Sequence, residues 1–351
     1  MKRFFIAIMF VAMAGTVAAQ EQRAITFDDL IGLVRISDPQ ISPDGKTVVF
    51  VGTRHDKNTN SVSSALFSVP AAGGPVSQIT SAPKGNSNPR WLPDGTSLVF
   101  VSTRDGESQV WSTPLAGGEA KKLSTISTGA SGMILSRDGK LVAFSSEVFP
   151  DCPTDDCNKQ REEALAASKV KAKVFERLPY RIWNTWKDGK RSHVFVMPVT
   201  GGSAVDVTPG DYDTPPIDLG GRWDYDFSPD GTELTFTRNT DPEIATSTNN
   251  DIFAVPVQGG TIRRITDNPA NDSQPLYSPD GTYLAYRKMD RPGFESDRNQ
   301  LVLVEKKTGR YTSLTQELDY SIDEVAWAAD SKSLYVTADD KGNKTVFRVW
   351  V

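Results

Sequence analysis

The chain has 351 residues and a formal net charge of −5, with acidic and basic side chains mixed along its length. No basic stripe is present, which argues against a nucleic-acid footprint. With only two histidines and two cysteines, metal and triad chemistry have few side chains to draw on, and the length suits either two ordinary domains or one repeat array.

The N-terminus has the three parts of an export signal. Met1-Lys2-Arg3 is basic, Phe4 to Ala14 is almost wholly apolar, and Val17-Ala18-Ala19 offers small residues for cleavage. The apolar run is too short to span a bilayer. Residues 1–19 are therefore expected to be a signal peptide, with Gln20 as the new terminus and a periplasmic or secreted product. No cysteine follows the cleavage point, so no lipid or membrane anchor is expected. Residues 20–38 form an N-terminal segment in which Thr26-Phe-Asp-Asp29 has capping-box spacing, predicting a short helix.

From residue 39 to 351 a repeat dominates. Ile41-Ser-Pro-Asp-Gly-Lys-Thr-Val-Val-Phe50 returns as Trp91-Leu-Pro-Asp-Gly-Thr-Ser-Leu-Val-Phe100 and Leu135-Ser-Arg-Asp-Gly-Lys-Leu-Val-Ala-Phe144. It returns again as Phe227-Ser-Pro-Asp-Gly-Thr-Glu-Leu-Thr-Phe236, Tyr277-Ser-Pro-Asp-Gly-Thr-Tyr-Leu-Ala-Tyr286 and a worn Trp327-Ala-Ala-Asp-Ser-Lys-Ser-Leu-Tyr-Val336. Pro-Asp-Gly makes a tight turn, and the β-branched residues after it make a strand. A second strand then leads to Gly73-Gly74, Gly117-Gly118, Gly201-Gly202 or Gly259-Gly260, each suited to a two-residue hairpin. A further strand closes on Ile79-Thr80, Leu123-Ser124, Val207-Thr208, Ile265-Thr266 or Leu314-Thr315. Four strands per unit at a period of about fifty residues predict an all-β fold, a β-propeller of four-stranded blades.

The step from Asp138 to Asp230 is nearly double the others. It predicts an insertion over residues 150–192 in the third blade, partly helical because Lys159 to Arg177 is rich in Ala, Glu and Lys. Cys152 and Cys157 sit in a polar loop there, and in an oxidising compartment they are expected to form a disulfide, with half a zinc site as the alternative. At the other end, Thr345 to Val351 matches the strand that elsewhere leads into Gly-Gly. About six blades are thus expected, the last incomplete, with seven or more in the full protein, and the chain reads as a fragment.

No chemistry of the usual kinds emerges from the residues. The nucleophile-elbow string Gly-x-Ser-x-Gly is absent. His193 occupies a strand-start position filled by Asp251 in another blade, and His55 lies in a polar loop. Asp28-Asp29 and Asp155-Asp156 read as helix-start and loop charges. No catalytic residue, metal or cofactor is expected.

These units, with Leu178-Pro-Tyr-Arg-Ile-Trp-Asn-Thr-Trp-Lys-Asp-Gly-Lys-Arg-Ser-His-Val-Phe195 and Val207-Thr-Pro-Gly-Asp-Tyr-Asp-Thr-Pro-Pro216, resemble the propeller half of the prolyl oligopeptidase family of serine peptidases. The likeness is to its dipeptidyl peptidase 5 and acylaminoacyl peptidase branch. The resemblance implies a following α/β-hydrolase domain that carries the Ser, Asp and His, and a propeller that admits only short peptides. It also implies that Glu162 and Glu163 are candidates for holding a substrate's free amine, a role that carboxylates suit chemically; the alternative is that they are ordinary surface glutamates. Short peptides are then the partners, with a homodimer left open. The alternative is a TolB-like periplasmic propeller serving as a non-catalytic protein-binding scaffold, or a propeller that binds a sugar or other ligand.

Overall fold

The computed structural model describes residues 23–81, 85–182, 184–217 and 224–351. The expected signal peptide and Gln20 lie outside the described residues. Among the described residues six antiparallel blade sheets follow one another along the chain, five of four strands and the last of three, with a separate two-stranded hairpin in the insertion. This is a six-bladed β-propeller. Blade one comprises Arg35–Ile41, Thr47–Asp56, Ser61–Pro70 and Ser77–Gln78, so it begins at Arg35 rather than residue 39. Blade two runs from Asn86–Trp91 to Lys121–Lys122, and blade four from Tyr225–Phe227 to Arg263–Arg264. Blade five runs from Asp272–Tyr277 to Tyr311–Ser313. Blade three is interrupted: Ser131–Leu135 and Leu141–Val148 precede the insertion, and Arg191–Pro198 and Val205–Asp206 follow it. In blade six, Ile322–Trp327 and Ser333–Asp340 are followed by Asn343–Trp350 at the sheet edge.

The Ser-Pro-Asp-Gly turn is a closed hydrogen-bond unit. In blade one, Gly45 N donates to Ser42 O at 2.8 Å and Lys46 N to Asp44 Oδ1 at 3.1 Å. Ser42 Oγ donates to Asp44 Oδ1 at 2.6 Å and accepts from Thr47 N at 2.9 Å. The same set recurs around Asp138, Asp230 and Asp280. These turns also stack between blades, since a Cβ on Gly139 would lie 2.4 Å from Pro93 Cδ. In blade six Ser331 replaces the glycine at φ +60°, and its hydroxyl accepts from Asp280 N of blade five at 3.1 Å.

The Gly-Gly pairs differ from expectation. Gly73, Gly117, Gly201 and Gly259 each donate N–H to the carbonyl of a proline three residues earlier, at φ between +81° and +94°. The turn is therefore Pro-x-x-Gly, and the first glycine leaves it in the left-handed region that few other residues tolerate. The short outer strand starts a few residues later, at Ser77 in blade one. What the sequence pairs as a two-residue hairpin is thus a longer connection.

Each of the first five blades also carries a buried hydroxyl staple. Thr80, Ser124, Thr208, Thr266 and Thr315 accept from the N–H of Leu66, Val110, Val194, Ile252 and Leu301, all at 2.8–2.9 Å. Those hydroxyls satisfy backbone donors one residue before the third strand begins to pair with the short outer strand, where the ladder offers no partner.

The core lies between blades as well as within them. One apolar cluster joins Val99 and Val110 of blade two to Met133 and Phe144 of blade three. A second joins Val194 to Phe227 and Phe253, and a third joins Leu301 to Ile322 and Leu334. Within blades, Phe50 stacks on Phe67, Phe144 on Phe195 and Phe236 on Phe253, with ring centroids 5.7–5.9 Å apart. Each buried aromatic contributes roughly 1.5–3 kcal/mol, so loss of one blade removes core from its neighbours.

Helix α1, Phe27–Gly32, carries the full capping box: Thr26 accepts from Asp29 N, and Asp29 accepts from Thr26 N at 2.8 Å. Helix α2 spans Asp155–Ala167, not Lys159 to Arg177. Thr154 caps it by accepting from Cys157 N, and Asp155 and Asp156 sit in the first turn, where the helix dipole favours negative charge. Beyond Ser168 the chain carries β-branched Val170 and Val174 and leaves the helix.

Candidate functional site

The insertion in blade three is the feature that the repeat does not require. Its base is anchored by Asn158, buried on α2, whose Oδ1 accepts from Phe149 N at 2.8 Å and whose Nδ2 donates to Thr154 O at 3.1 Å. Cys152 and Cys157 are disulfide-bonded with Cα atoms 5.4 Å apart, which closes the loop into α2. Asp155 accepts from Ser127 N and Oγ at 2.9 and 2.8 Å, which ties the helix to the chain entering blade three. Arg161 lies 4.3 Å from the Phe149 ring centroid, and Lys190 lies 5.5 Å from it.

The two glutamates stand apart in role. Glu162 pairs with Lys190 across the insertion, while Glu163 is exposed on α2. As folded, Glu162 therefore already has a cation, and an incoming ammonium would compete with Lys190. A third carboxylate, Glu147 at the end of strand Leu141–Val148, belongs to the same neighbourhood. The surrounding protein raises its pKa, while Lys187, Lys190 and His193 pull it down. Nothing in the repeat marks Glu147, so sequence reasoning passes over it; only the packing of the insertion brings lysines to it.

Behind these groups lies a tightly paired layer. Lys187 donates to Asp213 Oδ1 at 2.9 Å, and Ser192 N donates to the same oxygen at 3.0 Å. The His193 ring places Nδ1 2.7 Å from Asp206 Oδ2 and Nε2 2.8 Å from Gly210 O. Both nitrogens face acceptors and the ring is buried, which makes it a strut at the strand start. Arg238 donates to Thr214 Oγ1 at 2.8 Å and Thr208 O at 2.7 Å, and burial lowers its pKa to about 10. His55 sits on strand Thr47–Asp56 of blade one, far along the chain from the insertion.

The outer part of the insertion is an aromatic arm. Phe175, Tyr180 and Trp186 pack with centroids 5.7–6.1 Å apart around the two-stranded hairpin Arg181–Ile182 and Thr185–Trp186. Arg181 lies over the Trp186 ring at 5.9 Å. Tyr180 and Trp186 remain 46% exposed, and Leu178 and Val174 are exposed beside them. An open aromatic face next to carboxylates and lysines suits contact with a polar chain that carries apolar side groups. Among the described residues no group of three or more His, Cys, Asp or Glu has the arrangement of a metal site, and no helix is long and apolar enough to cross a membrane.

Comparison with known proteins bears on the fold. A family model described as a TolB beta propeller domain matches residues 26–171. The dipeptidyl-peptidase 5 of Porphyromonas gingivalis is 29% identical over 345 residues, which cover 96% of this chain and 49% of that protein. The structure of uncomplexed Pyrococcus horikoshii acylaminoacyl peptidase superposes with a TM-score of 0.67 at 14% identity, over 90% of this chain and 44% of that one. The β-propeller domain of the Trilobed protease from Pyrococcus furiosus gives 0.57 at 14% identity, covering 91% of this chain and 81% of that one. The structural likenesses establish the fold alone. The chain spans about half the length of the curated relatives it matches, and the resemblance to the propeller portion of dipeptidyl-peptidase 5-type proteins holds along nearly all of it.

Proposed function

We propose that this chain is the substrate-gating propeller of a secreted serine exopeptidase that releases dipeptides or other short pieces from peptides. The observation that carries this reading is the match to a dipeptidyl-peptidase 5 over 345 residues and 96% of the chain. In this reading hydrolysis belongs to an α/β-hydrolase portion outside residues 1–351, and the propeller restricts access to its active site. The aromatic arm contacts the peptide. Glu163 and Glu147 are the carboxylates open to its free amine, with Glu162 reaching it only by exchange with Lys190. Residues 1–19 direct export to the periplasm or beyond.

The test is direct. Native protein is captured from the source cell's envelope fraction with antibody to residues 23–351 and assayed on dipeptidyl chromogenic amides with and without a fluorophosphonate. A species of about twice this chain's mass that releases dipeptides and is labelled by the fluorophosphonate supports the reading. A species of this chain's own mass, without labelling or release, overturns it. In that event the TolB-type family match over residues 26–171 favours the second reading, a protein-binding scaffold without catalysis, and the capture should bring down a cell-envelope partner.

A further inference from the structure

A cavity of about 310 Å³ opens where blade four runs into blade five, away from the insertion in blade three. At its wall stands Asp272, the first residue of strand Asp272–Tyr277, only 1% exposed. Its position can be read across the repeat. Asp272 pairs across the sheet with Lys288, as Ile36 pairs with Gly52, Asn86 with Ser102 and Ile322 with Ala338 in blades one, two and six. Those blades hold neutral residues at both places, so the fold does not demand a carboxylate here.

Nor does the protein fully satisfy it. Asp272 Oδ1 accepts from Asn268 Nδ2 at 3.0 Å, but the buried Oδ2 has no hydrogen-bond partner. The nearby cationic and glutamine donors are committed elsewhere. Lys288 and Gln300 both turn to Asp290, and Arg264 to Asp251. The Thr266 hydroxyl donates to Asp251 Oδ1 at 3.2 Å and is shared with Asp272. A buried, half-satisfied carboxylate beside a cavity calls for an occupant that donates. Burial, with Asp251 adding to it, pushes the Asp272 pKa up to about 7, against Asn268, Thr266 and Lys288; a bound cation would hold the group ionised.

The rest of the lining narrows the chemistry. Tyr286 and Tyr311 supply aromatic surface, and Asp267, Asp272 and Asp290 against Lys288 leave a net negative wall. Tyr286 stands where blades one to four carry Phe50, Phe100, Phe144 and Phe236, so the lining departs from the repeat at a second place. Carboxylates beside aromatic surface recognise an organic cation, through charge-assisted N–H bonds to the oxygens and contact of the stem with the rings. The volume stands at the lower end of ligand pockets, which suits a single alkyl amine and not a peptide backbone.

We propose that this cavity is a binding site for a primary alkylammonium group, donating to Asp272 Oδ2 with its stem against Tyr286 and Tyr311. The group comes either from a free amine or from a lysine side chain of a bound peptide. The site does not depend on the peptidase reading. It is tested by calorimetric and NMR titration of the whole mature chain with pentylamine, cadaverine, N-acetyl-lysine methylamide and, as the neutral isostere, pentanol. The expected result is saturable binding of pentylamine that shifts the ring protons of Tyr286 and Tyr311, with pentanol at least about tenfold weaker.

Asp272→Asn should lose about tenfold in affinity. The exposed-rim variant Asp267→Asn, which leaves the core intact, should lose a few-fold. Binding of cadaverine without the lysine amide assigns a free amine, and binding of the lysine amide assigns a peptide side chain. Pentanol binding as well as pentylamine, unchanged affinity in both variants, or absent ring shifts at millimolar amine would each overturn the proposal. Absent shifts would leave Asp272 Oδ2 to water.

Discussion

Gly139 and Gly231 hold the same place in consecutive turns, both at φ +69°. Backbone strain from adding a side chain is therefore equal at the two, roughly 1–2 kcal/mol. Their surroundings differ. A Cβ on Gly139 would lie 2.4 Å from Pro93 Cδ of the preceding turn, whereas Gly231 has nothing within 4 Å. Gly139→Ala should consequently lower the thermal midpoint well beyond Gly231→Ala, by an additional ~1–3 kcal/mol for overpacking. Adding Pro93→Ala should recover part of that excess in a double-mutant cycle. Equal losses at the two glycines would mean that the turns do not stack between blades. The glycine itself is legible in the string Arg137-Asp-Gly139; its contact with Pro93 is not, because the two residues belong to different blades.

At the scale of elements, helix α2 shows how an insertion is held without a core of its own. Its one buried residue is the polar Asn158, and that side chain accepts from the backbone N–H of the buried Phe149, where the chain leaves the second strand of blade three. Asn158→Ala leaves a buried N–H without its acceptor, a cost of about 1–3 kcal/mol that falls on the insertion and not on the blades. Tryptic cleavage between residues 159 and 190 should then accelerate several-fold, while the global thermal midpoint moves little. A large midpoint shift with unchanged cleavage would show that the insertion is integral to blade three. The sequence marks this region as helix-prone through its Ala, Glu and Lys content. Composition cannot place the start, which Thr154 sets by capping, nor the stop at Ser168.

Over the whole molecule, three buried carboxylates set a pH dependence. Desolvation raises Asp226 and Asp251 to about 6 and Asp272 to about 7, against an unfolded value of about 3.9. Between pH 4 and 7 the folded chain thus binds more protons than the unfolded one, and stability falls as pH rises. The opposite group, the turn carboxylates, includes Asp138, held at about 2 chiefly by the Ser136 hydroxyl; their contribution is lost only below about pH 4. The thermal midpoint should be higher at pH 5 than at pH 8, by on the order of 1 kcal/mol per buried group. Asp226→Asn, which keeps an oxygen for Tyr277 N, should reduce the difference. A profile that is flat, or that rises from pH 5 to 8, would contradict this account.

The repeat made the architecture legible because each blade is specified locally. The Pro-Asp-Gly turn, the alternating strand and the closing Ser or Thr all act within about fifty residues, so six copies announce six blades. The outlying part of that pattern was legible too: the doubled step after Asp138 and the insertion with Glu162 and Cys152 that it marks; the positions of Asp272 and Tyr286 do not read as outliers. Tertiary structure alone decided what these residues touch. Glu162 meets Lys190, Lys187 meets Asp213, and Asp272 is left with an unpaired oxygen. Such contacts join residues from different strands and loops, and their energies depend on burial and on partners that no local spacing encodes.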